Sequence, residues 1–173
     1  MYGKQWRRWL GNDGREHDQI AAVLDALKNN PASRRILFHG WNVPEIGGMA
    51  LPPCHLLYQY HVSSDGRLSG ILYQRSADVL LGVPFNFVGA VALQAMLAQQ
   101  AGLALGEFVW MGGDVHLYNN HVDQAREQLS REPRPLPTLR LLRKPDSIDG
   151  YRIEDFDVQG YEPHAPIKAD VAV

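Results

Sequence analysis

The chain has a single cysteine, Cys54, in 173 residues. One thiol allows no internal disulfide, which excludes the small staple-dependent folds of secreted proteins and fits a reducing compartment. There is no excess of positive charge either. Lys and Arg number 17 against 19 Asp and Glu, a formal net charge of −2. The molecule as a whole therefore has no electrostatic basis for binding nucleic acid or an anionic membrane, and any anion site must be local. No apolar run reaches the roughly 20 residues of a membrane span; the longest, "FNFVGAVALQAMLA", is broken by Gln94. The opening "MYGKQWRRWLG" lacks the apolar stretch of a signal peptide. Repeats, long linkers and compositionally biased segments are also missing, which excludes repeat arrays and disordered tails. These absences predict a cytoplasmic chain that needs neither membrane nor nucleic acid.

What is present is an ordinary core-forming composition, 45% apolar over residues 1–173, enough for one domain. In "HDQIAAVLDALKN", Ile20, Val23, Leu24 and Leu27 form one helical stripe over residues 17–29 that ends at Asn30–Pro31. "RRILFHGW" is rich in strand formers. In "HLLYQYHV" alternation puts Leu56, Tyr58, Tyr60 and Val62 on one face and His55, Leu57, Gln59 and His61 on the other. "SSDGR" then turns into "LSGILYQRS", a hairpin with Asp65–Gly66 at its tip. Residues 85–100 read as a helix apolar on nearly all sides, which belongs inside a core. "LALGEFVWMGGDVHLY" reads as a long strand in which Gly112–Gly113 marks a bulge or a close backbone approach. A helix over 119–130 precedes short strands and loops. The pattern predicts an α+β fold around one dominant buried helix.

Taken by itself, Cys54 admits more than one reading. A lone cysteine is commonly a small buried hydrophobe. A metal site lacks a second thiol, and His55 and His61 do not have ligand spacing. Next to it in an extended chain, His55 points to the opposite face, which weighs against a simple Cys–His pair. A reactive thiol would instead need cationic neighbours. The sequence offers Arg34–Arg35 in "ASRRIL" and Arg75–Ser76 in "YQRSAD". An arginine and a serine at a strand end suit a phosphate, because a guanidinium presents paired donors and a hydroxyl adds another; pairing of Arg75 with Asp78 is the structural alternative. Thiol, arginines and the polar strand end "DVHLY" together describe a pocket for a phosphorylated small molecule.

The motifs "YGKQWRRW", "SRRI", "WNV", "MALPPCH", "LYQRSADVLLGVPFN", "GGDVHLYNNHVDQ", "LSREPRPLP" and "YRIEDFDVQGYEPHAPIKADVAV" resemble those of the thymidylate synthase family, in order and spacing, over the whole chain. The resemblance implies a twisted mixed sheet with a long buried central helix, paired sheet to sheet in a homodimer. It implies conversion of dUMP to dTMP with 5,10-methylenetetrahydrofolate as one-carbon and hydride donor, and no metal. Cys54 matches the nucleophile that adds to carbon 6 of uracil. Tyr2 and His55 match members of the network around carbon 5. Arg75, Ser76, Ala77 and Asp78 match a dUMP-binding run, and Asn86 matches the amide that pairs with the uracil edge. His116, Leu117 and Tyr118 match the strand end that holds the deoxyribose. Arg34 and Arg35 match a pair that completes the phosphate site of the partner subunit. Asp78 and Ala172 match folate contacts, the latter on a C-terminal tail that closes over the site.

Departures from the family pattern are Gly70 and Ala77 in place of cysteines, Met111 for threonine, Asp170 for proline, and the apolar "VGAVALQ". The family pattern also places a sizeable portion before "YGKQW", carrying a further phosphate arginine, a proton-handling glutamate and tryptophans beside the folate. Two alternatives accompany the synthase: a dUMP hydroxymethylase of the same family, in which water captures the methylene, and an inactive truncated fragment. Trp6, Trp9, Trp41 and Trp110 read as packing residues, Arg131 and Arg134 as solvated or loop-bracing charges; His39 and His61 have no assigned role.

Overall fold

The structure is a computed structural model, described here for residues 2–171. In chain order its elements are α1 (Tyr2–Arg7), β1 (Trp9–Leu10), β2 (Glu16–His17), α2 (Gln19–Asn29), β3 (Leu37–His39), β4 (His55–Val62), β5 (Arg67–Asp78), α3 (Gly82–Ala101), β6 (Ala104–His116), α4 (Val122–Leu129), β7 (Thr138–Leu141) and β8 (Phe156–Gln159). Short 3-10 turns lie at Val43–Gly48, Asn119–His121, Ile148–Gly150 and Ile153–Asp155.

The central sheet has the order β3-β4-β5-β6. Strands β3, β4 and β5 pair antiparallel, and β5 pairs with β6 in parallel through the crossover helix α3, so the sheet is mixed as expected. The β4–β5 hairpin turns at Asp65–Gly66, where Gly66 has φ +77°, a left-handed conformation open to glycine at little cost. Asp18 caps α2 by accepting the N–H of Ala21, and the stripe Ile20, Val23 and Leu27 is buried. These side chains meet Phe38, Tyr58, Tyr60, Leu68, Leu72 and Leu97 in one core on the inner face of the sheet.

Two expectations about α3 change. The helix is 20 residues long and holds an 18-residue window of mean hydropathy 1.2, so by length and composition it does reach the size of a membrane span. Its apolar flanks Gly82–Pro84 and Ala101 lie beyond the interrupted run read in the sequence. It packs on β5 and β6, and its interior amide Gln94 donates to the carbonyls of Leu68 and Glu107. Nor is it buried along its whole length. Ala90, Ala95, Leu97 and Ala98 are buried, whereas Phe85 is 76% and Val88 69% exposed. An all-round apolar helix shows only one side to a single sheet, and among the described residues nothing covers the other side of its first turns.

The glycine pair of β6 is a close approach rather than a bulge. A Cβ at Gly113 would lie 3.0 Å from the Arg75 carbonyl oxygen, and the β5–β6 register slips instead between Leu68 and Gly70. Among the described residues nothing covers the outer face of the sheet, which is apolar, with Leu37, Ile71, Tyr73, Val109 and Met111 all exposed. The last third of the chain is the short antiparallel pair β7–β8 with loops, as the sequence suggested.

Candidate active site

The parallel pairing of β5 with β6 brings two chemistry-bearing segments to one end of the sheet. Ser76 lies opposite Asp114 and Asp78 opposite His116, and the Val79 N–H donates to the His116 carbonyl (3.0 Å). The start of β4 arrives at the same place, since the Arg75 N–H donates to the Cys54 carbonyl over 2.9 Å. The first turns of α3 follow directly from the end of β5. Ends of parallel strands beside a helix start are where α/β sheets leave room for ligands.

Cys54 is half-buried and free. The Arg75 guanidinium stands 3.9 Å from its sulfur, with Nη2 as donor. The same side chain donates through Nε to the Pro53 carbonyl and through Nη2 to the Pro52 carbonyl, each over 2.8 Å. The prolines before the thiol thus offer two carbonyls with no competing N–H of their own. Arg75 holds the loop that carries Cys54, and its positive charge lies where a thiolate's negative charge would form. Trp41 packs on the other side of this guanidinium, 5.7 Å from ring centroid to Arg75. Asp78 is not the partner of Arg75; among the described residues Arg75 is in no ion pair.

Tyr2, on α1, reaches the backbone of Cys54. Its hydroxyl accepts the N–H groups of Cys54 (2.9 Å) and His55 (3.2 Å), and its ring stacks on that of His55 at 5.1 Å. Burial holds the Tyr2 hydroxyl above its ordinary pKa, against the opposing effect of those two N–H donors. Burial likewise holds His55 below its ordinary value, opposed by a side-chain hydrogen bond with Asn86. The face of His55 needs correcting. Strict alternation puts it with Leu57, Gln59 and His61, but the β4–β5 register shifts between His55 and Leu57. This bulge pairs His55 with Gln74, a buried inner residue, and turns the imidazole toward Tyr2 and Asn86.

Asn86 is set by a relay that sequence reading missed. The Trp110 indole N–H donates to Oε1 of Gln74 (3.0 Å), and Nε2 of Gln74 donates to Oδ1 of Asn86 (2.8 Å) and to the Ser76 carbonyl (3.0 Å). An indole N–H can only donate, so it fixes which way round the Gln74 amide sits, and Gln74 then fixes Asn86. Gln74 is 2% exposed. Its available signal was a glutamine at an inward position of an otherwise apolar strand face. Asp78 closes the start of α3, accepting the N–H groups of Leu80 (3.1 Å), Leu81 (3.4 Å) and Gly82 (3.2 Å). That carboxylate fixes where Asn86 enters the site.

His116 and Tyr118 stand together, ring centroids 5.0 Å apart and nearly perpendicular, with the His116 Nδ1 3.1 Å from Asp114. Leu117 between them is 38% exposed. Ser76 is half-buried at the strand end, and the Ala77 side chain is fully buried, which leaves only its backbone for a ligand. The structure does not bring Arg34 and Arg35 to their own chain's Cys54. Both are exposed before β3, and Leu37 pairs with Gln59, five strand residues from Cys54, or roughly 15 Å along the sheet. Ala172 lies outside the described residues. Among the described residues no group of three or more His, Cys, Asp or Glu side chains could hold a metal ion.

The remaining residues singled out in the sequence serve packing and bracing. Trp6 packs edge-on against Phe38 and Tyr58, Trp9 against His39, and Trp110 against Phe87. Arg131 and Arg134 brace the C-terminal segment, donating to the carbonyls of Ala165, Glu162 and Pro163.

A half-buried thiol beside a guanidinium, oriented amides and a polar strand end marks a class of site in which a thiol and polar groups share one end of a sheet. Comparison with known proteins narrows this class. Residues 1–173 match the family described as thymidylate synthase. The whole chain is 73% identical to a thymidylate synthase of Rhodopseudomonas palustris (strain BisA53), 70% to one of Cereibacter sphaeroides and 68% to one of Zymomonas mobilis. The chain spans 58% of the length of each of these relatives. It belongs to the thymidylate synthase family.

Proposed function

We propose that this chain, as one domain over residues 1–173, carries the nucleotide half of a thymidylate synthase: reductive methylation of dUMP to dTMP with 5,10-methylenetetrahydrofolate as one-carbon and hydride donor. The observation that carries the proposal is the 3.9 Å approach of the Arg75 guanidinium to the Cys54 sulfur, at the sheet end shared with Asn86, His116 and Tyr118. In this reading the Cys54 thiolate bonds to carbon 6 of uracil, and the electron pair displaced onto carbon 5 attacks the methylene carbon of the folate. A proton then leaves carbon 5, tetrahydrofolate departs, and its hydride reduces the exocyclic methylene. The carbon–sulfur bond breaks, giving dTMP, dihydrofolate and the free thiolate. Sulfur suits both ends of this cycle because it attacks well and leaves readily.

Each residue then has a task that its position supports. Arg75, with two N–H donors committed to Pro52 and Pro53, keeps others for phosphate beside the Ser76 hydroxyl. Asn86, held by Gln74, offers a fixed amide to the uracil edge, and the wrong base would leave buried polar groups unpaired. His116 and Tyr118 meet the deoxyribose, while Tyr2 and His55 handle protons near carbon 5. Asp78, Ala77 and Leu117 contribute backbone or flanking contacts, and Asp78 and Ala172 meet the folate. The exposed apolar sheet face supports a sheet-to-sheet homodimer, in which Arg34 and Arg35, remote from their own Cys54, complete the partner's phosphate site. A cytoplasmic location follows from this role.

Incubation of the purified chain with dUMP and methylenetetrahydrofolate, with products resolved by mass, tests the reading. Formation of dTMP supports it. Hydroxymethyl-dUMP would instead indicate capture of the methylene by water, and a folded chain without turnover would indicate an inactive fragment.

A further inference from the structure

His121 is fully buried, 0% exposed, in the 3-10 turn just after the nucleotide-facing strand end, and none of the tasks above uses it. Its Nε2 lies 2.7 Å from the backbone carbonyl of Asp170, in the C-terminal segment. A carbonyl oxygen can only accept, so Nε2 must carry the hydrogen. Among the described residues the other ring nitrogen, Nδ1, is buried with no partner. The bond from Nε2 to Asp170 is therefore the one side-chain hydrogen bond that His121 makes among the described residues. The imidazole also packs edge-on against Tyr118, centroids 5.8 Å apart, and the backbone N–H of His121 donates to the Tyr118 carbonyl over 2.9 Å.

The C-terminal segment depends on such bonds. Among the described residues, none from 161 to 171 takes part in a backbone–backbone hydrogen bond outside the regular elements. The segment is held by side chains. Asn120 donates to the Asp170 carbonyl and Gln124 to that of Lys168, both at 3.4 Å, and Arg131 donates to that of Ala165 at 2.6 Å. Of the bonds to Lys168 and Asp170, only the one from His121 is short and made by a buried group.

We infer that His121 is a positioning residue: its buried imidazole ties the C-terminal segment at Asp170 to the strand end that bears Tyr118, so that this segment is seated against the nucleotide side of the site. The consequence for turnover rests on the activity proposed above; the tether itself does not.

Three proteins test this: the unmodified chain, His121→Phe and His121→Gln. Phenylalanine keeps a ring against Tyr118 but cannot donate, whereas the glutamine amide can reach the same carbonyl as a donor. Limited trypsin digestion reads tail release as cleavage after Lys168, normalised to cleavage elsewhere. The expected result is a roughly five- to tenfold faster cut in His121→Phe, the weight of about one hydrogen bond, with substantial recovery in His121→Gln. Thermal unfolding checks that both variants remain folded. In turnover, His121→Phe should lower kcat while leaving the KM for dUMP within about twofold. Equal Lys168 cleavage in all three folded proteins would overturn the tether, and so would fast cleavage in both variants without rescue by glutamine. An altered cleavage pattern with no turnover even in the unmodified chain would uphold the tether and count against the proposed activity alone.

Discussion

Gln74 donates its side-chain N–H to Oδ1 of Asn86 over 2.8 Å while Trp110 occupies the opposite end of the same amide. The orientation of Asn86 is therefore decided by an indole on a different strand. Replacing Gln74 with Glu puts a carboxylate oxygen where an N–H must face Asn86 and the Ser76 carbonyl. The expected outcome is a loss of about 1–3 kcal/mol in urea unfolding. Affinity for dUMP should fall at least tenfold with discrimination against dCMP reduced, as measured by calorimetry with both nucleotides.

Arg75 is expected not to tolerate lysine. A lysine ammonium cannot reproduce the fixed fork that meets the carbonyls of Pro52 and Pro53 and still faces the sulfur. Arg75→Lys should destabilise the fold by about 1–2 kcal/mol through the freed proline carbonyls and should raise the KM for dUMP more than tenfold. A KM within twofold of the unmodified chain would place the phosphate elsewhere.

Burial holds both His39 and His55 below the ordinary imidazole value of 6.5. The unfolded chain therefore takes up protons near pH 6.5 that the folded chain still refuses. Stability should be fully present above 6.5 and should decline as the pH falls from there through the lower folded values. Urea midpoints measured between pH 8 and pH 5 check this. The slope on the acid side should flatten in His55→Gln, and an unchanged slope would mean that His55 titrates normally in the fold.

The outer sheet face carries Ile71, Tyr73, Val109 and Met111 in the open, an apolar surface of the kind that marks an interface. Sedimentation should give a species of twice 19.4 kDa, and Met111→Lys should shift it toward the monomer. Mixing chains that carry Cys54→Ser with chains that carry Arg34→Ala and Arg35→Ala should then restore turnover, because one of the two sites in a mixed dimer is intact.

Much of this was legible in the sequence because periodicity and turn chemistry are local. The stripe of α2, the Asp65–Gly66 hairpin and the length of β6 follow from neighbouring residues alone, and the motifs named Cys54, Arg75 and Asn86 before any geometry was known. What was not legible depends on pairing between distant strands. The bulge that turns His55 inward arises from the match of β4 to β5, and alternation within β4 cannot reveal it. The roles of Gln74 and His121 depend on which donor or acceptor comes near after folding, Trp110 in one case and the Asp170 carbonyl in the other. The half-exposed state of α3 reflects which layers this chain contains, something that helical periodicity does not report.

Covalent bonding of Cys54 to the pyrimidine is tested most directly by acid-quenching the chain during incubation with dUMP and methylenetetrahydrofolate and mapping its peptides by mass. The expected result is nucleotide mass on the peptide that contains Cys54, and neither adduct nor turnover in Cys54→Ser. Production of dTMP by Cys54→Ser at an undiminished rate, or turnover by the unmodified chain with Cys54 never modified, would contradict it.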